Sequence, residues 1–134
     1  MTITVKHKVW AKVTTDTDQR NGLWCPDETL AVETYSNMQR FTSGVRQIAT
    51  SGTEALPLGD LTTVRLLYIE VDGNADVTIS GADTAYELRP ADTATGRQAR
   101  LFMEAANITS VSVQNPSSSA ALDLRYFMVG DPTS

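Results

Sequence analysis

Residues 54–79, EALPLGDLTTVRLLYIEVDGNADVTI, hold the densest apolar run of the chain, Leu66-Leu67-Tyr68-Ile69-Glu70-Val71, and a second alternating run after it. Successive side chains of an extended strand point to opposite faces. Leu67, Ile69 and Val71 therefore share one face, and Tyr68 and Glu70 the other. Asp72-Gly73 is a hairpin signal, because glycine accepts the positive φ that tight hairpin turns require. Val77 and Ile79 then resume the buried face on the return strand. This stretch predicts a central β-hairpin with Leu67, Ile69, Val77 and Ile79 buried together. It carries no chemistry of its own.

Working outward, period-two alternation recurs through most of the chain. Ile3, Val5, Val9, Ala11 and Val13 alternate with Thr4, Lys6, Lys8 and Lys12, which reads as a half-buried strand. Strands follow over roughly 29–36, 38–42 and 45–49, with Ser43-Gly44 as a bend or bulge. Ser51-Gly52-Thr53 reads as a turn. Residues 54–59 read as a short extended or one-turn connection, since Pro57 and Gly59 oppose a sustained helix. Beyond the central stretch, strands are expected over 85–89, 99–104, 108–114 and 121–129. Residues 90–96 form a loop and Asn115-Pro116-Ser117-Ser118-Ser119 a turn at a sheet end. The expected fold is all-β: one antiparallel β-sandwich domain over 1–134, jelly-roll-like, of about nine short strands. Within it, 14–28 is a polar loop and 131–134 a frayed tail.

Composition narrows the function classes. The 134 residues carry a formal net charge of −5, which argues against a nucleic-acid-binding surface. All three lysines, Lys6, Lys8 and Lys12, fall in the first strand, where alternating lysines mark the wet face of an edge strand more often than a basic arm. The single cysteine, Cys25, forms no intrachain disulfide. MTITVKHKVWAKV lacks the apolar core of a signal peptide, and no run approaches the roughly 18 apolar residues of a membrane span; a soluble protein with no membrane partner is expected.

No catalytic constellation emerges. His7 is the only histidine and reads as a satisfied or rim residue, so no catalytic, cofactor-binding or metal residue is assigned. Asp16 and Asp18 beside Gly22 faintly suggest a calcium loop, yet Arg20 occupies a ligand position and the glycine comes one residue late. Trp24-Cys25-Pro26 reads as a loop anchor. Asp72 and Asp76 would act on a glycoside only if they converged on a cleft, and carboxylates at hairpin tips are far more often solvated. Aromatics on outward faces, Trp10, Tyr35, Tyr68, Phe102 and Phe127, suit a sugar-stacking platform or a protein interface; the interface is the stronger reading. Trp10, Tyr35, Phe102 and Phe127 are the candidate interface residues.

Two blocks carry a resemblance. Residues 41–61, FTSGVRQIATSGTEALPLGDL, and residues 108–119, ITSVSVQNPSSS, are similar to patterns found in small β-rich virion proteins of tailed bacteriophages. Those proteins carry a G-x-Q-x-I/V stretch leading to E-A-L-x-L-G, and later V-T-S-L-x-V-x-N-P-S-G-S. The likeness covers about half the chain, and its motifs are structural. Members commonly carry N-L-D-x-x-N after the central strand, where this chain has Glu70-Val71-Asp72-Gly73-Asn74-Ala75-Asp76. The resemblance implies a non-catalytic virion structural protein without cofactor, assembled in the host cytoplasm: a head decoration or cement protein, or a neck or tail component. It implies a homo-oligomer, a trimer by analogy, in contact with the major capsid or a neck or tail protein. A carbohydrate- or receptor-binding module is the rival.

Overall fold

The structure is a computed structural model. It describes residues 3–7, 31–35, 40–90 and 98–132, with side chains for 40–90, 98–104 and 107–132. The chain divides into two compact units, Met1–Asn37 and Met38–Ser134. In the first, β1 (Ile3–His7) and β2 (Ala31–Tyr35) pair antiparallel, with Ile3 opposite Tyr35 and His7 opposite Ala31. Trp10, Asp16, Asp18, Arg20 and Trp24-Cys25-Pro26 lie outside the described residues, as do 91–97 and the last two positions.

The second unit contains β3 (Arg40–Ile48), β4 (Thr53–Ala55), β5 (Leu61–Val71), β6 (Ala75–Ile79), β7 (Tyr86–Leu88), β8 (Ala99–Ile108), β9 (Val111–Gln114) and β10 (Leu122–Pro132). They form two antiparallel four-stranded sheets, ordered β3-β10-β5-β8 and β4-β9-β6-β7. The pairing is nested: β3 with β10, β4 with β9, β5 with β8 and β6 with β7. One long hairpin doubled over on itself pairs its arms in this way. No helix occurs among the described residues. The all-β antiparallel sandwich read from the alternation is the observed fold.

One apolar core lies between the sheets. Ile48 of β3, Leu67, Ile69 and Val71 of β5, Val77 of β6, Val111 and Val113 of β9, and Leu122, Leu124, Tyr126 and Met128 of β10 are buried in it, with Ile79 packed at its margin. Fully burying one such aliphatic side chain stabilises by about 1.5–3 kcal/mol. The alternation on β5 is as read: Leu67, Ile69 and Val71 face inward, and Tyr68 and Glu70 face away.

The hairpin expected at Asp72-Gly73 does not form. β5 and β6 lie in different sheets, and Asp72-Gly73-Asn74 is the corner between them. β5 is a central strand whose two sides are taken by β10 and β8, so no side remains for β6. Positive φ among described glycines occurs at Gly59 and Gly81, and Gly73 does not need it. The hydrophobic signal was sound, since Leu67, Ile69 and Val77 share the core, but they meet across the sandwich.

Ser43-Gly44 is no bend either. β3 runs through it unbroken, because Gly44 faces Tyr126 on β10 and the tyrosine ring fills the space a side chain would occupy. A Cβ at Gly44 would lie 2.8 Å from the Tyr126 hydroxyl oxygen. Thr53-Glu54-Ala55, split between a turn and a connection in the sequence reading, is strand β4 paired to β9. Asp131 and Pro132, expected in a frayed tail, pair instead with Thr63 and Leu61. Asp131 also accepts a hydrogen bond from Arg65 Nε at 2.8 Å. Just before them, a side chain on Gly130 would overlap the Thr63 carbonyl, so only glycine closes the irregular end of this ladder.

Candidate functional site

The face of the β3-β10-β5-β8 sheet turned away from the core carries the chemistry. Antiparallel register places Arg100 of β8 and Arg125 of β10 on either side of Glu70, near the end of the central strand β5. Arg125 donates to Glu70 Oε1 through Nε at 2.9 Å and Nη2 at 2.6 Å. Arg100 Nε donates to Oε2 at 2.9 Å, and the Tyr68 hydroxyl, one pleat along on the same face, donates to Oε2 at 2.6 Å. The Glu70 side chain is only 7% exposed, while its two arginines stay open to solvent.

These donors fix the charge state. The Tyr68 hydrogen bond contributes most to holding the Glu70 carboxyl down; burial opposes it, and the Arg100 and Arg125 bonds add to it, leaving a pKa of about 2 against an ordinary 4.5. The Tyr68 phenol is pushed up, first by burial and then by its bond to the carboxylate. A carboxylate so thoroughly satisfied is a poor proton acceptor near neutrality, where a general base needs a pKa raised toward the working pH. The cluster is a structural anchor between three strands.

Beside it runs an aromatic row. Phe102, Tyr68 and Phe127 stand opposite one another on β8, β5 and β10. The Tyr68 and Phe127 rings stack with centroids 5.3 Å apart and planes 20° apart. On β3 at the sheet edge, Val45 is 77% exposed beside Arg125, and Phe41 is 61% exposed. A shallow hollow of about 270 Å³ opens at this end between Val45, Glu70, Asp72, Gln98, Asp123 and Arg125.

The candidate residues therefore divide. Phe102 and Phe127 are brought onto one face, with Phe127 committed to the stack on Tyr68. Tyr35 sits on β2 opposite Ile3, its side chain outside the described set, and Trp10 lies outside altogether. Asp72 and Asp76 do not converge: Asp72 Oδ1 accepts the Asp123 N–H at 2.9 Å, and Asp76 Oδ1 accepts Arg89 Nη2 at 2.7 Å. Among the described residues no three His, Cys, Asp or Glu side chains group as metal ligands. None of the helices is long and apolar enough to cross a membrane, there being none among the described residues.

The sequence reading passed over Glu70 and Asn115. Asn115 is 1% exposed. Its Nδ2 donates to the carbonyls of Ile48, Ala49 and Ala120 at 3.2, 3.2 and 2.8 Å, and its Oδ1 accepts the Ser117 N–H at 3.0 Å. Backbone bonds from Ser51 N to the Ser117 carbonyl and from Asn115 N to the Gly52 carbonyl, both 2.9 Å, complete the junction. The turn after β3 and the turn before β10 thus pack on each other here. A second hollow, about 320 Å³, adjoins Asn115, Ser117, Asp72 and Asn74. The available signal was an asparagine before Pro-Ser-Ser-Ser, a turn former whose side chain bonds its own backbone two residues on. For Glu70 it was an acid inside an apolar strand, in a chain whose later strands carry arginines at outward positions.

No family model, curated protein or solved structure matches the chain.

Proposed function

We propose that this protein is a non-catalytic structural component of a bacteriophage virion, most simply a head decoration or cement protein that stabilises the capsid through protein contacts. The observation that carries the assembly reading is the outward face of the β3-β10-β5-β8 sheet. It presents Phe41, Val45 and Phe102 to solvent beside two arginines, on a frame held rigid by Glu70 and the Tyr68–Phe127 stack. Aromatics and arginine are the residues enriched at protein interfaces, and a preformed face loses little entropy on docking. The nested strand pairing supports a jelly-roll assignment, a fold common in capsid proteins. Placement on a virion rests on the resemblance of residues 41–61 and 108–119. By the same analogy the protein works as a homo-oligomer, a trimer, on the particle and in the host cytoplasm during assembly.

Purified protein added to capsids lacking it should co-sediment with them at a fixed stoichiometry and raise the temperature at which they release DNA. Gold labelling of whole particles separates a head position from the neck or tail. A protein that ignores capsid and tail but binds glycans on an array would replace this reading with a receptor-binding module.

A further inference from the structure

Among the described residues of the second unit, the four large hydrophobic side chains that stand exposed lie on two opposite edges of its sandwich. Phe41 and Val45, at 61% and 77%, are on β3. Tyr86 and Phe102, at 49% and 36%, are on β7 and β8. β3 and β8 are the two edge strands of one sheet, and β7 is an edge of the other. Single exposed apolar residues are ordinary, but a division between two edges is what a head-to-tail contact requires.

The edges themselves agree. Long sheet edges are commonly blunted by lysine, proline or a bulge, because unpaired backbone groups invite further strands. β3 spans nine residues, RFTSGVRQI, with neither lysine nor proline. The regular part of β8, residues 99–104, has none either, and its irregular pairing comes only beyond Glu104. The two remaining edges, β4 and β7, are three residues long.

Charge selects the occupant. On β3, Arg40 and Arg46 pair with no acid among the described residues. Across the molecule, Glu87 of β7 is 71% exposed and 3.8 Å from Arg89, and Asp83 stands exposed in the turn before it. Two copies of a chain with net charge −5 repel at long range, so a lasting contact between them must bring a cationic patch to an acidic one. The β3 edge is cationic, while on the β7–β8 edge the arginines Arg89 and Arg100 are held by Asp76 and Glu70, which leaves the exposed Glu87 and Asp83 to face it.

We propose that the β3 edge of one copy docks against the β7–β8 edge of the next, Phe41 and Val45 meeting Tyr86 and Phe102, so that the chain closes into a ring. This rests on the assembly reading above and specifies its geometry: a heterologous interface, in which two different patches meet, and not a two-fold one.

Sedimentation equilibrium on the full chain, on Val45→Glu, on Tyr86→Glu and on their equimolar mixture tests it. Both positions are exposed, so circular dichroism should match wild type; Phe41→Ser and Phe102→Ser repeat the design with milder changes. Wild type should form one oligomer whose mass stops rising with concentration. Each variant alone should fall to monomer, and the mixture should give a dimer, because each variant keeps the edge its partner lacks. An oligomer unaffected by Tyr86→Glu and Phe102→Ser, a mixture that stays monomeric, or wild type that is monomeric or grows without limit would overturn the ring. Capsid binding is read on wild type alone, because Phe41, Val45 and Phe102 also lie on the face proposed to meet the capsid. A monomer that still binds particles sinks the ring and keeps the decoration reading, and a ring that binds none does the reverse.

Discussion

Glu70 and Asn115 are the two polar side chains buried most deeply among the described residues, and they are buried to opposite ends. Asn115 spends its amide on backbone: three carbonyls and one N–H, drawn from the turn after β3 and the turn before β10. Glu70 spends its carboxylate on side chains, two of them exposed arginines. Backbone groups cannot move to find new partners without unfolding the turn, whereas an exposed guanidinium regains water at once. A buried neutral residue should therefore matter more to stability here than a buried charge.

The sharpest way to break that comparison is Asn115→Leu, which takes the side-chain partner from the Ile48 and Ala120 carbonyls and the Ser117 N–H, while the Ala49 carbonyl keeps the Gly52 N–H at 2.9 Å. At roughly 1–3 kcal/mol for each group kept from water, partly relieved by relaxation, we expect a loss of about 3–5 kcal/mol in urea unfolding. Asn115→Asp should lose a similar amount near neutral pH and recover part of it in acid, because a protonated carboxyl can still donate to one carbonyl. A loss under about 1 kcal/mol for Asn115→Leu would mean that the junction is not a structural centre. Ile69→Ala supplies the apolar benchmark, at about 2–5 kcal/mol for a fully buried position.

Glu70 should respond to pH. Its folded pKa of about 2 lies below the ordinary 4.5, so its contribution is fully present above about 4.5 and is lost as pH falls toward 2. Because both arginines are well exposed, solvent screening reduces that contribution to about 1–2 kcal/mol. Urea midpoints should fall across this window for wild type and be flatter for Glu70→Gln. Identical slopes would remove Glu70 from the acid response.

The same contrast shows how much was legible beforehand. Strand alternation and the inward set Leu67, Ile69, Val71 and Val77 were readable, because period-two patterning is local. The Asp72-Gly73 corner was misread because a turn signal says that the chain reverses, not which sheet the next strand joins. Gly44 looked like a bend because its reason, the Tyr126 ring, belongs to a strand far along the sequence. The outward parity of Phe102 and Phe127 was readable, again because period-two patterning is local. The role of Glu70 was not, since a glutamate at outward parity reads as solvated until topology sets Arg100 and Arg125 on either side of it.

The smallest expected effect separates those two arginines. Arg125 makes both hydrogen bonds to Oε1, so Arg125→Ala leaves that oxygen with no side-chain donor among the described residues. Arg100 shares Oε2 with the Tyr68 hydroxyl, so Arg100→Ala leaves it still bonded at 2.6 Å. Exposed ion pairs contribute roughly 0–1 kcal/mol, and the partner left behind decides where in that range each falls. We expect about 1 kcal/mol for Arg125→Ala and about half that for Arg100→Ala. The gap should close in a Tyr68→Phe background, where Arg100 becomes the sole side-chain donor to Oε2 among the described residues while Arg125 is unchanged. A double-mutant cycle over Tyr68 and Arg100 measures this directly. Equal costs for the two arginines in both backgrounds would show that the carboxylate responds to net charge alone and not to which oxygen each donor holds.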